Sequence, residues 1–380
     1  MKLSNKKILL ISPQNWGTMF LSKHHYAIEL AKKGNTVYFL NPADHWNKTN
    51  KKKFEIETVK NIEGLFLINH KLSFPFFLKF KFINLFHFLM KFHIRKIIRK
   101  IHSPIDIIWS FEIGNIYPLK FFPESAFKIF HPVDEPLDQG AIDAGQGAQV
   151  IFSVTREILE KYKLYNVPRH FINHGVAEYF INDKINISVN NPIRIGLSGN
   201  FLRPDIDRKV LLQIISENPE IIFEFWGAYE NKQSNISGNN HPNTFSFVNE
   251  LKEKKNVVLH GPLTAIELAR ELRKMDGFLI CYDVIKDQSK GTNYHKVMEY
   301  LGSGKVIVSN NISTYDQYPG LLQMVNERTD NNQLSILFKK IVLNLSFYNG
   351  ESEQIKRIQF AISNLYQKQI EKIQNILIKH

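Results

Sequence analysis

The 380-residue chain has a single cysteine, Cys281. One thiol closes no internal disulfide, so the chain is not a disulfide-stapled secreted scaffold, and a reducing compartment suits it. Uninterrupted apolar runs of the 18 or so residues needed for a membrane-spanning helix are missing. The apolar run in MKLSNKKILLIS is also too short for a signal-peptide core. A cytosolic or peripheral protein is therefore expected. The glycine pattern G-x-G-x-x-G is absent after the first strand-like run, where Pro13-Gln14-Asn15-Trp16-Gly17 stands instead, and a dehydrogenase reading loses its main support. His/Cys clusters at metal-ligand spacing are lacking too, and no metal site is expected; Asp205-Ile206-Asp207 has an Asp-x-Asp spacing but precedes a helix-like stretch. Acidic residues are in deficit: 36 against 49 Lys and Arg, a net charge of +13. Such an excess predicts an acidic partner, whether nucleic acid, anionic lipid or a phosphorylated small molecule. Nucleic acid is the least favoured, because no nucleic-acid-binding motif is legible.

What is present is a regular alternation. Hydrophobic residues make up 43% of the chain, enough for two cores. Strand-like apolar runs occupy 6–12, 36–42, 65–70, 106–111, 126–132, 149–154 and 169–175, with helical patterns between them. The first helix is expected from Ser22, as N-cap, to a stop at Gly34. Asparagine-rich 182–192 interrupts the pattern and reads as a linker. The alternation restarts at 193–199, 221–227, 256–262, 277–283 and 305–310, and Thr264 with Glu267 forms a capping-box pattern. Strands alternating with helices imply parallel sheets joined by right-handed crossovers. The expected organisation is an N-terminal Rossmann-like domain over 1–181, a linker over 182–192 and a second such domain over 193–345. A long helix over 346–380 should pack back on the body.

Ligands of open parallel sheets bind beyond the carboxyl ends of the strands. In the first half those ends hold Gly17, which either serves the turn or admits a phosphate. They also hold His131-Pro132-Val133-Asp134-Glu135-Pro136, where His131 and the two acids either bind or deprotonate a sugar hydroxyl or cap the next helix. His174, at the end of another run, reads as structural. In the second half Gly199-Asn200 is followed by Arg203, Arg208 and Lys209, a glycine turn and basic helix start suited to an anion. The sequence Asn293-Tyr294-His295-Lys296-Val297-Met298-Glu299 opens a helix that ends at glycine and feeds a buried strand. Lys296 and Glu299 share a face: the pair suits a phosphate and a ribose, or forms a helix salt bridge.

The run KVMEYLGSGKVIVSNN resembles the K-x-x-E-Y-L-A-x-G-K-P-V-V signature of GT-B glycosyltransferases, in particular bacterial family-four-type enzymes, including the teichuronic-acid-type transferases. SKHHYAIELAKKGNTVYFLNP, FINHGVAEYF and NVVLHGPLTAIELARELRKMDGFLICYD resemble further segments of that family. The resemblance implies an α/β GT-B fold, with two doubly wound domains facing each other across a cleft. It implies a metal-independent transfer from a UDP- or GDP-sugar to a hydroxyl of a glycan or lipid-linked acceptor, in cell-surface polysaccharide synthesis. On it, Glu299 would bind the donor ribose, and the backbone from Gly261 to Leu263 would face the base. Arg203, Arg208 or Lys209 would hold the diphosphate, with Lys296 and Asn293 beside it, and His131 would lie by the transferred sugar. Many members have a second glutamate eight positions before the ribose glutamate. Here that position is Gly291, so the contact is either missing or supplied by Asp283 or Asp287. An epimerase of the same fold and a non-catalytic anion binder are the competing readings.

One segment stands apart from this scheme. Residues 74–100 contain 8 of the 29 phenylalanines, seven Lys or Arg and no acid. As a helix they align Asn84, His87, Lys91, Arg95 and Arg99 in one polar stripe, a pattern suited either to an anionic membrane surface or to packing on a sheet.

Overall fold

The computed structural model describes residues 1–17, 20–46, 53–230 and 242–379. The chain forms two compact units, 1–173 with 366–380, and 174–365.

The first unit is built on β1 (Lys7–Ile11), β2 (Thr36–Leu40), β3 (Phe54–Thr58), β4 (Leu65–His70), β5 (Ile107–Ser110), β6 (Phe127–Phe130), β7 (Val150–Ser153) and β8 (Arg169–Phe171). Their order in the sheet is β3-β4-β2-β1-β5-β6-β7-β8, and every pairing is parallel except the antiparallel β3–β4 edge. The continuous apolar strands follow from burial on both faces. Along β1, Leu9 and Ile11 enter one core together with the inner face of the helix Ile83–Ile101. Ile8 and Leu10 enter the other, with the helices Ser22–Lys32 and Tyr366–Lys379.

The second unit holds β9 (Arg194–Ser198), β10 (Ile222–Trp226), β11 (Val257–Gly261), β12 (Gly277–Ile280), β13 (Val306–Ser309) and β14 (Gln323–Met324), all parallel, in the order β11-β10-β9-β12-β13-β14. In each sheet the winding direction reverses once, between β1 and β5 in the first and between β9 and β12 in the second.

Several expectations need correction. The first unit ends at Asn173, so 174–181 belong to the second. The expected linker is stapled to the second unit: Lys305 Nζ donates to the Asn186 carbonyl at 2.6 Å, and Asn190 binds Asp276. The C-terminal stretch is two helices, not one. Glu351–Ile362 belongs to the second unit, where Arg357 bonds the carbonyls of Gly304 and Tyr348. Only Tyr366–Lys379 belongs to the first. The break at Ser363-Asn364 arises because both side chains bond the Phe360 carbonyl and compete with the helical ladder. Ser22 is the first helical residue rather than the cap. His24 caps in its place, its Nδ1 accepting from the Leu21 amide at 3.0 Å. Gly34 stops that helix with φ of 84°, and the Thr264–Glu267 capping box forms.

Candidate active site at the strand ends of the second unit

At the carboxyl edge of the second sheet three neighbouring strands end in glycine. Gly199, Gly227 and Gly261 follow or end β9, β10 and β11 with φ of 143°, 138° and 78°, conformations that side chains resist. The amide of Gly199 donates to the Trp226 carbonyl at 2.9 Å, and that of Gly227 to the Gly261 carbonyl at 2.8 Å. The result is a ledge of bare backbone.

Against this ledge, at the switch point between β9 and β12, stands the start of the helix His295–Ser303. Its Lys296 is buried and donates to the Ser198 carbonyl at 2.5 Å and to the Tyr282 hydroxyl at 2.6 Å. An ammonium has three donors, so one remains for a ligand. Tyr300, on the same helix, receives the Ser198 amide through its hydroxyl oxygen at 2.7 Å. A cavity of about 20 Å³, lined by Ser198, Gly199, Asn200, Tyr282 and Lys296 among others, lies at this junction. That is room for roughly one water. The N-cap residue Tyr294 makes no capping bond and no acid occupies the first turn. The positive end of the helix dipole is thus left for an external anion.

Glu299 lies one turn further on and is half-buried. Burial pushes its carboxyl up to about 7, with the nearby Lys296 charge partly offsetting this. Lys296 and Glu299 therefore do not neutralise each other as a helix salt bridge. The lysine is committed to β9, and the carboxylate is held at the edge of ionisation.

The basic loop after Gly199 behaves differently from expectation. Arg203 is gripped bidentately by Asp205, with Asp287 at 3.6 Å, so its charge is already met. Arg208 bonds the Arg203 carbonyl and Thr244 and lies over Phe247. Lys209 is exposed on the helix. The helix start itself is closed, because Asp207 caps it, accepting from the Val210 amide and from Asn331. The anion-receptive helix is the later one. Asn200 caps its own turn by accepting from the Leu202 amide at 3.0 Å. Leu263 is half-buried against the core, just beyond Gly261.

The loop 283–293 has its own logic. Asp283 accepts from the amides of Ile285 and Lys286 and pairs with the Lys286 side chain, which hold its carboxyl low. Asp287 is buried, accepting from Ser289, the Gly291 amide and the Tyr294 hydroxyl. Both carboxylates are spent on loop structure. At Gly291, φ is 64° and an added Cβ would lie 2.8 Å from the Asn311 carbonyl oxygen, so a glutamate cannot occupy that position in this backbone. Asn293 is buried just before the helix. His174, expected to be structural, lies with its ring 6.2 Å from that of His295.

In the first unit His131 is fully buried, caged by Tyr26, Trp109, Phe111 and Phe152. Trp109 Nε1 donates to its Nδ1 at 3.4 Å, and burial drives its pKa down to about 3. This corrects the expectation of a catalytic histidine: the ring is a neutral part of the core. Asp134, three residues on, is exposed. Gly17 is exposed, and a Cβ there would meet nothing within 4 Å, so neither steric need nor a close approach explains it. The sequence reading missed Lys23, a lysine in the first turn of a helix that looks like a surface residue. It is 2% exposed, and burial lowers its pKa to about 8 while the charge of Asp134 pulls it back up. It also missed Tyr282, Tyr300 and Gly227, which read as parts of apolar strand and helix runs.

No family model and no curated protein matches the chain. Solved structures do. Sucrose-phosphate synthase from Thermosynechococcus elongatus is similar over 98% of each chain, with a TM-score of 0.70 at 10% identity. HepE from Anabaena, in complex with UDP and glucose, is similar over 99% of this chain and 100% of its own, with a TM-score of 0.66 at 12% identity. The lipopolysaccharide outer core galactosyltransferase WaaB, in its apo form, covers 94% and 99% at 13% identity and a TM-score of 0.56. At such identities the likeness is one of fold. The chain has the GT-B fold, an α/β architecture of two parallel-dominated sheets.

Proposed function

We propose that the protein is a glycosyltransferase that moves a sugar from a nucleotide-activated donor, a UDP- or GDP-sugar, to a hydroxyl of a glycan or lipid-linked acceptor. The observation that carries this reading is the junction of Lys296 with the glycine ledge. A buried ammonium with one donor to spare, an uncapped helix start and a side-chain-free backbone edge together fit a diphosphate. Glu299, one turn on, accepts the ribose hydroxyls, and the backbone from Gly261 to Leu263 meets the base. HepE, which has this fold, was determined with UDP and glucose, with UDP-glucose and with UDP bound, which supports the donor class. The KVMEYLGSGK signature supports the same assignment and a family-four-type role in cell-surface polysaccharide synthesis.

The chemistry needs little from the protein beyond positioning and charge. The acceptor oxygen bonds to the anomeric carbon of the sugar, the bond from that carbon to the diphosphate oxygen breaks, and the nucleoside diphosphate departs with the bonding electrons. Lys296 and the helix start stabilise the charge that develops on the leaving group. The acceptor hydroxyl passes its proton to the carboxylate of Asp134, which with the nearby Lys23 is the pair we assign to the acceptor side, His131 being in the core. The reaction is assigned no metal.

A thermal-shift screen against UDP-, GDP-, dTDP- and CMP-sugars tests the donor class, since a ligand at 100 times its dissociation constant adds about 2.7 kcal/mol of stability. Stabilisation by one nucleotide series, followed by release of its diphosphate only with acceptor, supports transfer. Isomerisation of the donor without acceptor would make the protein an epimerase. A response to none of the four series, together with a salt-sensitive gel shift, would make it an anion binder.

A further inference from the structure

The helix Ile83–Ile101 docks on the first sheet through Phe86, Met90, His93, Ile94 and Ile97, all buried. Its outward face is not the uniform polar stripe that the sequence suggested. His87 leaves that stripe: it is half-buried, and its Nε2–H donates to the Asn115 carbonyl at 3.0 Å. The outward residues are graded along the axis, aromatics concentrated before and at the N-terminal end and cations towards the C-terminal end, with Lys81 exposed among the former and Phe92 among the latter. At the N-terminal end, Phe77, Phe80, Phe82, Ile83, Leu85 and Phe88 are exposed, Phe80 by 75% and Phe82 by 58%. Towards the C-terminal end Lys91, Arg95, Lys96, Arg99 and Lys100 are exposed. Cations lie over aromatic rings in both halves, Lys79 over Phe80 at 5.7 Å and Arg95 over Phe92 at 5.8 Å. Among the described residues no helix is long and apolar enough to cross a membrane.

We propose that this surface docks the protein on an anionic lipid leaflet, with the phenylalanine tip entering the interface and the cationic half of the helix resting on the headgroups. Charge chooses the occupant. A cluster of large apolar side chains this exposed is a docking surface. A second copy related by a two-fold axis presents the same patch and brings two cationic collars together, whereas an anionic leaflet meets both the apolar tip and the collar. Because the exposed phenylalanines are concentrated at the N-terminal end, that end enters deeper than the cationic end, where Phe92 supplies a further apolar contact. The inference goes beyond the proposed transfer reaction and does not depend on it.

The test is flotation of the full chain with vesicles of phosphatidylcholine containing phosphatidylglycerol, and of phosphatidylcholine alone, at low and high salt. The wild type is expected to float with the anionic vesicles at low salt and to be released by salt. The triple change Lys91→Glu, Arg95→Glu, Arg99→Glu is expected to lower partitioning at least tenfold, as is Phe80→Ser with Phe82→Ser and Phe88→Ser. All six side chains are exposed, so unchanged melting temperatures show that the variants fold. Depth is read from the emission that one added tryptophan contributes over the four native ones, taken as the difference from wild type. Phe80→Trp should shift its emission to the blue on anionic vesicles, whereas Phe245→Trp, at an exposed position of the second unit, should not. Failure of the wild type to float, or equal binding to neutral vesicles, overturns the proposal. So does a dimer in which Phe80→Trp is already blue-shifted without lipid, because a second copy would then be the occupant.

Discussion

A side chain at Gly227 would place its Cβ 1.7 Å from the carbonyl oxygen of Gly199. Two strand ends thus approach so closely that only hydrogen fits between them. With φ of 138° at Gly227 as well, Gly227→Ala forces the ledge apart. It should cost several kcal/mol, in the range reserved for backbone strain and overpacking. Gly17→Ala, where a Cβ meets open space, should stay within about 0.5 kcal/mol. Chemical denaturation of the pair checks this, and equal losses would remove the ledge from the description of the site.

Glu299→Gln separates binding from stability. Since burial raises the Glu299 carboxyl to about 7, the folded state holds its proton more tightly than the unfolded chain. The group's contribution is therefore fully present below the ordinary carboxylate range and is lost as pH rises through about 7. The glutamine variant should gain on the wild type between pH 4 and 8, by an amount on the order of 2–3 kcal/mol. It should nonetheless bind a nucleotide donor more weakly by about 1.5–3 kcal/mol, the worth of a charged hydrogen bond. Calorimetry of nucleotide binding at pH 8 decides, and an unchanged affinity would take Glu299 out of the pocket.

His131→Phe should leave turnover within a few-fold of wild type, because the ring sits in an aromatic cage rather than at a reacting group. Its pKa is depressed to about 3 by burial, so the folded state resists protonation that the unfolded chain accepts below about 6.5. That share of stability is present above pH 6.5 and declines as pH falls towards 3. The phenylalanine variant should accordingly lose less stability on acidification than the wild type. A collapse of turnover with unchanged melting temperature would restore a catalytic role.

Lys23→Met removes a buried cation from the first turn of a helix. Its lowered pKa, about 8, means that the charged form is penalised in the fold. The variant should therefore melt higher than the wild type below pH 8, with the difference shrinking as pH rises towards 10.5. Under the proposed role it should also lose transfer activity. A lower melting temperature at pH 7 would show instead that the ammonium is structural.

Ile373 is fully buried in the first unit, on a helix whose Gln369 bonds the Asn173 carbonyl and whose Gln374 receives the Leu3 amide. Ile373→Ala should cost about 2–5 kcal/mol, and the loss should appear as earlier melting of the first unit. Hydrogen exchange over 1–173 measures it.

Twelve strands were legible as continuous apolar runs because both faces of each sheet are covered. The antiparallel edge strand Phe54–Thr58 was not: FEIET alternates and is half-exposed, so its register comes from pairing with β4 rather than from its own hydrophobicity. The helix His295–Ser303 and its residues Lys296 and Glu299 were legible from the signature. The direction each side chain takes was not, since three-residue spacing is equally compatible with a salt bridge and with Lys296 reaching across to β9. The basic loop misled for a related reason. Arginines read as free charges in sequence, but Asp205 grips Arg203 across a local turn only two residues away, and Asp287 approaches it from a distant loop. His131 misled because a strand end can turn inward as easily as outward.

The helix Tyr366–Lys379 closes a core begun more than three hundred residues earlier. During synthesis, residues 1–173 leave the ribosome with one face of their sheet still missing its last covering helix. The second unit, whose residues are contiguous from 174 to 365, is free to finish first. Nascent chains should therefore keep the first unit protease-sensitive until residues 366–379 have emerged, which makes this helix a timing device as well as a packing element.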